Sequence, residues 1–188
     1  GDKSILGRVR AEFFASSSKL EAVLDEVQNM CKKEGSKGVV FSQFTRMLDL
    51  VHFRLGRAGI GAVKLVGSMP RVARDNAVKA FSSNPAIRIL LVSLKAGGEG
   101  LNLQVADHVF LIDPWWNPAS EMQAMDRAHR IGQTREVTAI RFLMRDTIED
   151  KILELQEKKQ LAISGTIDGD AGAVKQLSKE DMRFLFNR

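Results

Sequence analysis

Cysteine is nearly absent: Cys31 stands alone, which excludes a disulfide framework and any multi-cysteine zinc site within these residues and suits a reducing compartment. The three histidines, His52, His108 and His129, lie far apart with no ligand spacing, so metal binding by side chains is not expected. No apolar run approaches the roughly 20 residues that a membrane-spanning helix needs, and the first residues carry neither the basic nor the apolar region of a secretory signal. No membrane partner is expected, and a cytosolic or nuclear setting is. Internal repeats and low-complexity tracts are missing too, which sets aside solenoids and compositional disorder. Nowhere does G-x-x-x-x-G-K-[ST] occur, so the chain has no triphosphate cradle of its own.

What is present is an ordinary globular composition. Hydrophobic residues are 44% and charged residues 27% of 188 positions, enough for one well-buried core and too few residues for two full ones once a helical tail is set aside. A net charge of +5 permits a polyanionic partner without requiring one. The start at Gly1 reads as a cut within a longer chain, whose other parts hold the missing chemistry.

Apolar runs alternate with helical periodicities. Ser18-Lys19-Leu20-Glu21 has the form of a capping box and predicts a helix to about Glu34, closed by Gly35. Val39-Val40-Phe41 predicts a strand covered on both faces, followed by a helix from about Thr45 to Arg57. Strands are expected at Ala62–Val66, Ile87–Ser93, Val109–Ile112 and Val137–Leu143, with helices from Pro70 to Phe81, from Asn117-Pro118 through Arg130, and from Thr147 to about Ile163. A small, polar stretch follows Ser164, and a last helix begins at Ser178, with Asp181 three residues on. Its Met182, Phe184, Leu185 and Phe186 must pack back on something. Strands separated by helices predict an α/β domain, a mostly parallel sheet with helices on both faces. In such sheets ligands sit at the carboxyl ends of the strands.

Four segments there could carry chemistry. Gln123, Arg127 and Arg130 recur at i, i+4 and i+7, which aligns them on one helix face. A guanidinium is a planar fork of donors that stays protonated, suited to phosphates whose charge grows in a transition state. A solvated helix face, with Asp126 pairing to Arg130, reads the same spacing equally well. Arg127 has no acidic neighbour at helical spacing, which makes it the better arginine-finger candidate. The run Ser93-Leu94-Lys95-Ala96-Gly97-Gly98-Glu99-Gly100 lets a backbone approach an anion closely, or is simply a tight connection. Gly67-Ser68 offers a hydroxyl and an amide at the same edge. In Asp113-Pro114-Trp115-Trp116-Asn117-Pro118 two prolines stiffen a loop, and one tryptophan is expected to be buried while the other faces a partner. Asp25-Glu26-Val27-Gln28 imitates a magnesium-binding acidic pair, but it lies mid-helix rather than after an apolar strand.

Taken in order, Val40-Phe41-Ser42-Gln43-Phe44, Leu65-Val66-Gly67-Ser68-Met69, the segment Ser93 to Leu103, Asp113 to Pro118, and Gln123 to Gln133 resemble the C-terminal helicase motifs of SWI/SNF-related DNA-dependent ATPases. The Ala128-His129-Arg130-Ile131-Gly132-Gln133 ending differs from the G-R-x-G-R usual in RNA helicases. The resemblance implies a second RecA-like lobe at 18–146, a brace helix at 147–163, and flanking segments at 1–17, 164–177 and 178–188, the last a helical tail. It also implies that Arg127 and Arg130, with Gln123 beside them, reach ATP and Mg2+ held mainly by a first RecA-like lobe absent here. Gly98 and Gly100 would line the ATP cleft. Gly67, Ser68, Ser93, Lys95, Gly97, Asn102 and Trp116 would face the phosphates of double-stranded DNA.

The implied function is that of one motor lobe of a nuclear DNA translocase in chromatin remodelling or DNA repair, with nucleosomes or repair factors as further partners. This fragment alone is expected to be inactive. Phe41-Ser42-Gln43-Phe44-Thr45, Ser16-Ser17-Ser18-Lys19 and Phe184-Leu185-Phe186-Asn187 look most like the nucleotide-excision-repair branch, whose members usually carry a RING insertion that a chain with one cysteine cannot contain. A non-catalytic DNA- or protein-binding module and an RNA helicase lobe are the alternatives.

Overall fold

The computed structural model describes residues 14–94, 96, 103–128, 136–165 and 177–186. Eleven elements alternate along them: α1 (Ser18–Cys31), β1 (Gly38–Ser42), α2 (Thr45–Arg57), β2 (Gly61–Leu65), α3 (Arg71–Ser83), β3 (Ile87–Ser93), β4 (His108–Leu111), α4 (Pro118–Ala128), β5 (Thr138–Arg141), α5 (Ile148–Gly165) and α6 (Lys179–Phe186). The strands form one parallel sheet in the order β2-β3-β1-β4-β5. The sequence reading of a parallel α/β lobe therefore holds.

The central strands β1, β3 and β4 explain why their sequences run apolar without alternation. Successive side chains point to opposite faces of a sheet, and here both faces are covered. Val40, Ile89, Leu91, Phe110 and Ile112 meet Leu20, Val23, Leu24 and Val27 of α1 and Leu48, Val51 and Leu55 of α2 on one side. Val39, Phe41, Leu90, Val92, Val109 and Leu111 meet Phe81 of α3 and Leu103 on the other, with Met125 of α4 against them. Each such fully buried side chain contributes about 1.5–3 kcal/mol. At the edge, β5 is short and largely exposed, and its Arg141 discourages further strand pairing.

Gly61 opens β2 where the register with β3 shifts. A Cβ there would lie 2.1 Å from the Ala86 carbonyl oxygen, a backbone approach that only glycine permits. Gly59 follows the cap of α2 with φ of +74°, and Gly35 turns the chain after α1 with φ of +72°.

Two local expectations are corrected. The cap of α1 is Ser17, not Ser18: extended at φ −109° and ψ 158°, its Oγ accepts from the Leu20 amide at 3.3 Å. Glu21 closes no capping box, because Arg54 on α2 takes its carboxylate through two hydrogen bonds of 2.7 Å. A bidentate charged pair outcompetes a single bond to a cap amide. The other correction is length: α1 ends at Cys31, and β5 is confined to Thr138–Arg141. Ser178, the expected start of the last helix, precedes α6 and caps it, with Asp181 N donating to Ser178 Oγ at 3.0 Å and Ser178 N to the Asp181 carboxylate at 2.9 Å.

Helix α5 is capped by Thr147, whose Oγ1 accepts from Glu149 N at 3.1 Å. The tail helix α6 packs on α5. Lys158 lies over the Phe184 ring at 3.8 Å, Lys159 pairs with Asp181 at 3.1 Å, and Leu185 is buried. Among the described residues no helix is long and apolar enough to cross a membrane.

Candidate functional site

Parallel strands put all their following loops at one edge, and among the described residues Gly67-Ser68, Ser93 and the loop from Asp113 to Asn117 lie there. Ser42 and Ser93 close β1 and β3 in register, and Leu94 N donates to Ser42 O at 3.0 Å. Ser93 is 4% exposed, whereas Gly67 and Ser68 sit on an exposed turn after β2. Arg74 of α3 donates to the Gly67 and Met69 carbonyls at 3.0 Å, which holds that turn from below.

Asp113, just past β4, joins two loops at this edge. Its Oδ2 accepts from Ser42 Oγ at 2.5 Å and from Gln43 N at 3.0 Å. Burial pushes its carboxyl above the ordinary value against the pull of those two bonds. Pro114 then passes the chain to Trp115 and Trp116. Their rings stack at 6.0 Å with 29° between planes, and both are partly buried, so the expected division into one buried and one outward ring is not what forms. Stacking lets the two rings shield each other. Lys159 of α5 stands 4.8 Å from the Trp116 ring centre. A cavity of about 350 Å³ between this loop, α5 and α6 is lined by Phe44, Pro114, Trp116, Ile152 and Leu185, among others.

Helix α4 starts as its sequence dictates: Asn117 Oδ1 accepts from Ala119 N at 3.1 Å and Pro118 takes the first turn. Gln123 is exposed on this helix, and Arg127 follows it by four residues in the same element. The side chain of Arg127 and all of Arg130, Lys95, Gly97, Gly98, Gly100 and Asn102 lie outside the described residues.

Sequence reasoning missed the residue that anchors α4. Glu121 is 1% exposed, and its carboxylate accepts from Trp115 N at 2.7 Å, from Gln156 Nε2 at 2.9 Å and from Arg141 at 2.5 Å. Gln156 Nε2 also donates to the Trp115 carbonyl. A carboxylate in the first turn of a helix reads as an ordinary partner of the helix dipole, so nothing local marked it. Lys19 was missed as well: 7% exposed, it donates to Ile112 O at 2.9 Å and pairs with Glu149 of α5 at 2.5 Å. Among the described residues no cluster of His, Cys, Asp or Glu could hold a metal ion.

Residues 18–132, from α1 to just past α4, match the family described as the helicase conserved C-terminal domain. The chain belongs to that family. It is 52% identical over 185 residues to the ATP-dependent helicase rhp16 of Schizosaccharomyces pombe, covering 98% of this chain and 22% of that protein. It is also 42% identical over 173 residues to the DNA repair protein RAD5A of Arabidopsis thaliana, covering 92% and 16%. Its fold superposes on the C-terminal part of the Fun30 ATPase domain with a TM-score of 0.74 at 33% identity, over 79% of this chain and 48% of that one. The Sulfolobus solfataricus SWI2/SNF2 ATPase core gives 0.67 at 30% identity, over 90% and 34%. These relatives and neighbours put this helicase C-terminal lobe in the SWI2/SNF2 group. The chain spans about a fifth of the length of the relatives it matches.

Proposed function

We propose that this domain is the second motor lobe of an ATP-dependent double-stranded DNA translocase, acting in the nucleus in DNA repair or chromatin remodelling. One observation carries the reading. In a helicase C-terminal lobe, α4 leaves the carboxyl edge of the sheet with Gln123 exposed and Arg127 one helical turn further on. On this reading ATP and Mg2+ are held mainly by a first lobe elsewhere in the full protein, and Arg127 and Arg130 neutralise phosphate charge that grows during transfer. What the nucleotide supplies is a hydrolysable phosphoanhydride. This lobe supplies cationic side chains and the rigid edge that carries them, with Gly98 and Gly100 lining the cleft.

The exposed Gly67-Ser68 turn supports a contact with the phosphates of one DNA strand. Ser93, Lys95, Gly97, Asn102 and Trp116 complete the proposed DNA-facing set. Backbone contacts of this kind bind without sequence preference and weaken with salt, with a slope of about −0.9 per phosphate neutralised. The domain units proposed are 18–146 for the lobe, 147–163 for the brace and 178–188 for the tail, with a place in the nucleotide-excision-repair branch and nucleosomes or repair factors as partners.

Arg127→Ala in the complete two-lobe protein is the test. DNA-stimulated ATP turnover is expected to drop about 10³-fold or more. Turnover within a few-fold of the parent would remove Arg127 from catalysis and the reading with it.

A further inference from the structure

A carboxylate taken out of water is costly unless every oxygen is satisfied. Glu121 meets that condition by joining four elements. It stands on α4, Trp115 N of the loop after β4 and Gln156 Nε2 of α5 share one oxygen, and Arg141 of β5 holds the other. Gln156 clamps the same loop a second time through the Trp115 carbonyl. Seven residues earlier on α5, two turns along the same face, Glu149 pairs with Lys19, whose ammonium also holds the carbonyl of Ile112. Helix α5 is thus fastened at two points, one at each end of the short segment from Ile112 to Trp115. Most of the large apolar side chains that hold the sheet together lie elsewhere. Polar bonds with directional geometry set the angle and phase of α4 against α5, which interchangeable apolar contacts would leave less defined.

We propose that Glu121, through Gln156, is a positioning residue that makes α4 and α5 move as one body, so that a displacement of α5 is delivered to Gln123 and Arg127. Arg127 lies six residues beyond Glu121, about 9 Å along the helix axis at 1.5 Å per residue. A small change of tilt at Glu121 is therefore magnified at the cleft. The inference rests on the reading that α4 presents Arg127 to ATP.

The experiment uses the complete two-lobe protein and compares Gln156→Leu, Glu121→Gln, their double variant and Arg127→Ala, with Glu157→Ala on the exposed side of α5 as control. Gln156→Leu removes both donors. It is expected to lower DNA-stimulated kcat about tenfold, a coupling of ordinary size, while KM for ATP and the DNA-free rate stay within about twofold. Glu121→Gln keeps the acceptor for Trp115 and Gln156 and loses the Arg141 pair, so its loss is smaller. The double variant should combine the two losses, because Glu121→Gln removes the Arg141 pair and Gln156→Leu the bonds to α5.

If Gln156→Leu does not fold, Gln156→Met, which keeps the side-chain length without the donors, gives the same readout. Stimulated kcat at the parental level, or stimulated and DNA-free rates falling together, overturns the inference. So does a loss in Glu121→Gln as large as that in Gln156→Leu, which would place the effect in the Arg141 pair. If Arg127→Ala is inactive while Gln156→Leu behaves as the parent, the inference fails alone. If Arg127→Ala retains turnover, the underlying reading falls and this inference falls with it.

Discussion

Lys19 of α1 and Glu149 of α5, 130 residues apart in the chain, form an ion pair of 2.5 Å, with the lysine 7% exposed. Removing Lys19 leaves the part-buried Glu149 carboxylate without its cation, though Met144 N still donates to it at 2.9 Å. Lys19→Met is expected to lower unfolding free energy by about 3 kcal/mol, seen as a lower urea midpoint with unchanged slope. The double change Lys19→Met with Glu149→Leu should recover most of the loss. A single variant as stable as the parent would show that the pair holds nothing.

Glu21 and Arg54 form another link between helices, here α1 to α2. The Arg54 guanidinium, helped by Ser16, holds the Glu21 carboxyl down at about 2 against an ordinary 4.5. A depressed acid stabilises the fold above its ordinary value and loses that contribution as pH falls through the folded one. The carboxyl carbon of Glu21, followed by NMR, should therefore titrate near 2. In Arg54→Met it should rise toward the ordinary 4.5, and a midpoint unmoved by that change would discount the pair.

Asp113 has the opposite sign. Burial raises its carboxyl despite Ser42 and Gln43, so the folded chain binds the proton more tightly than the unfolded one. Ionisation at this position works against folding. The contribution of Asp113 falls as pH rises from the ordinary 3.8 through its higher folded value. Asn in its place keeps an acceptor for both donors and cannot ionise. Asp113→Asn should flatten stability against pH over that window, measured by denaturant titration at several pH values. A profile identical to the parent would place the dependence elsewhere.

Asp146, immediately before α5 and its Thr147 cap, has φ of 59°. A branched side chain there meets its own carbonyl. Asp146→Val is expected to cost about 1–2 kcal/mol and Asp146→Gly to be neutral or stabilising. Thermal melts of the two should move apart, and coincident melts would sink the argument.

Much of the architecture was legible because the strands announce themselves. Val39-Val40-Phe41 and Ile87 to Ser93 are apolar on both faces, Gly59 and Pro70 punctuate helices, and the predicted α2 span is the observed one. Gln123 was legible as an exposed member of α4 from its spacing to Arg127. Glu121, Gln156, Lys19 and Arg141 were not. Each is an ordinary polar residue within its own segment and gains meaning only when a residue from a distant segment arrives opposite it. The Ser18 cap was misplaced by one residue because three consecutive serines offer the same oxygen, and backbone angle, not composition, chooses among them.

The stacked pair after β4 also gives the domain a built-in optical probe. Trp115 and Trp116 are its only tryptophans, so its indole emission arises wholly from the loop to which α5 is fastened. Light excited near 295 nm, roughly where indole alone absorbs among side chains, reports on one junction. With the Lys159 ammonium over one ring, sliding of α5 changes the field on the emitter, and its colour and lifetime follow the motion without any attached dye.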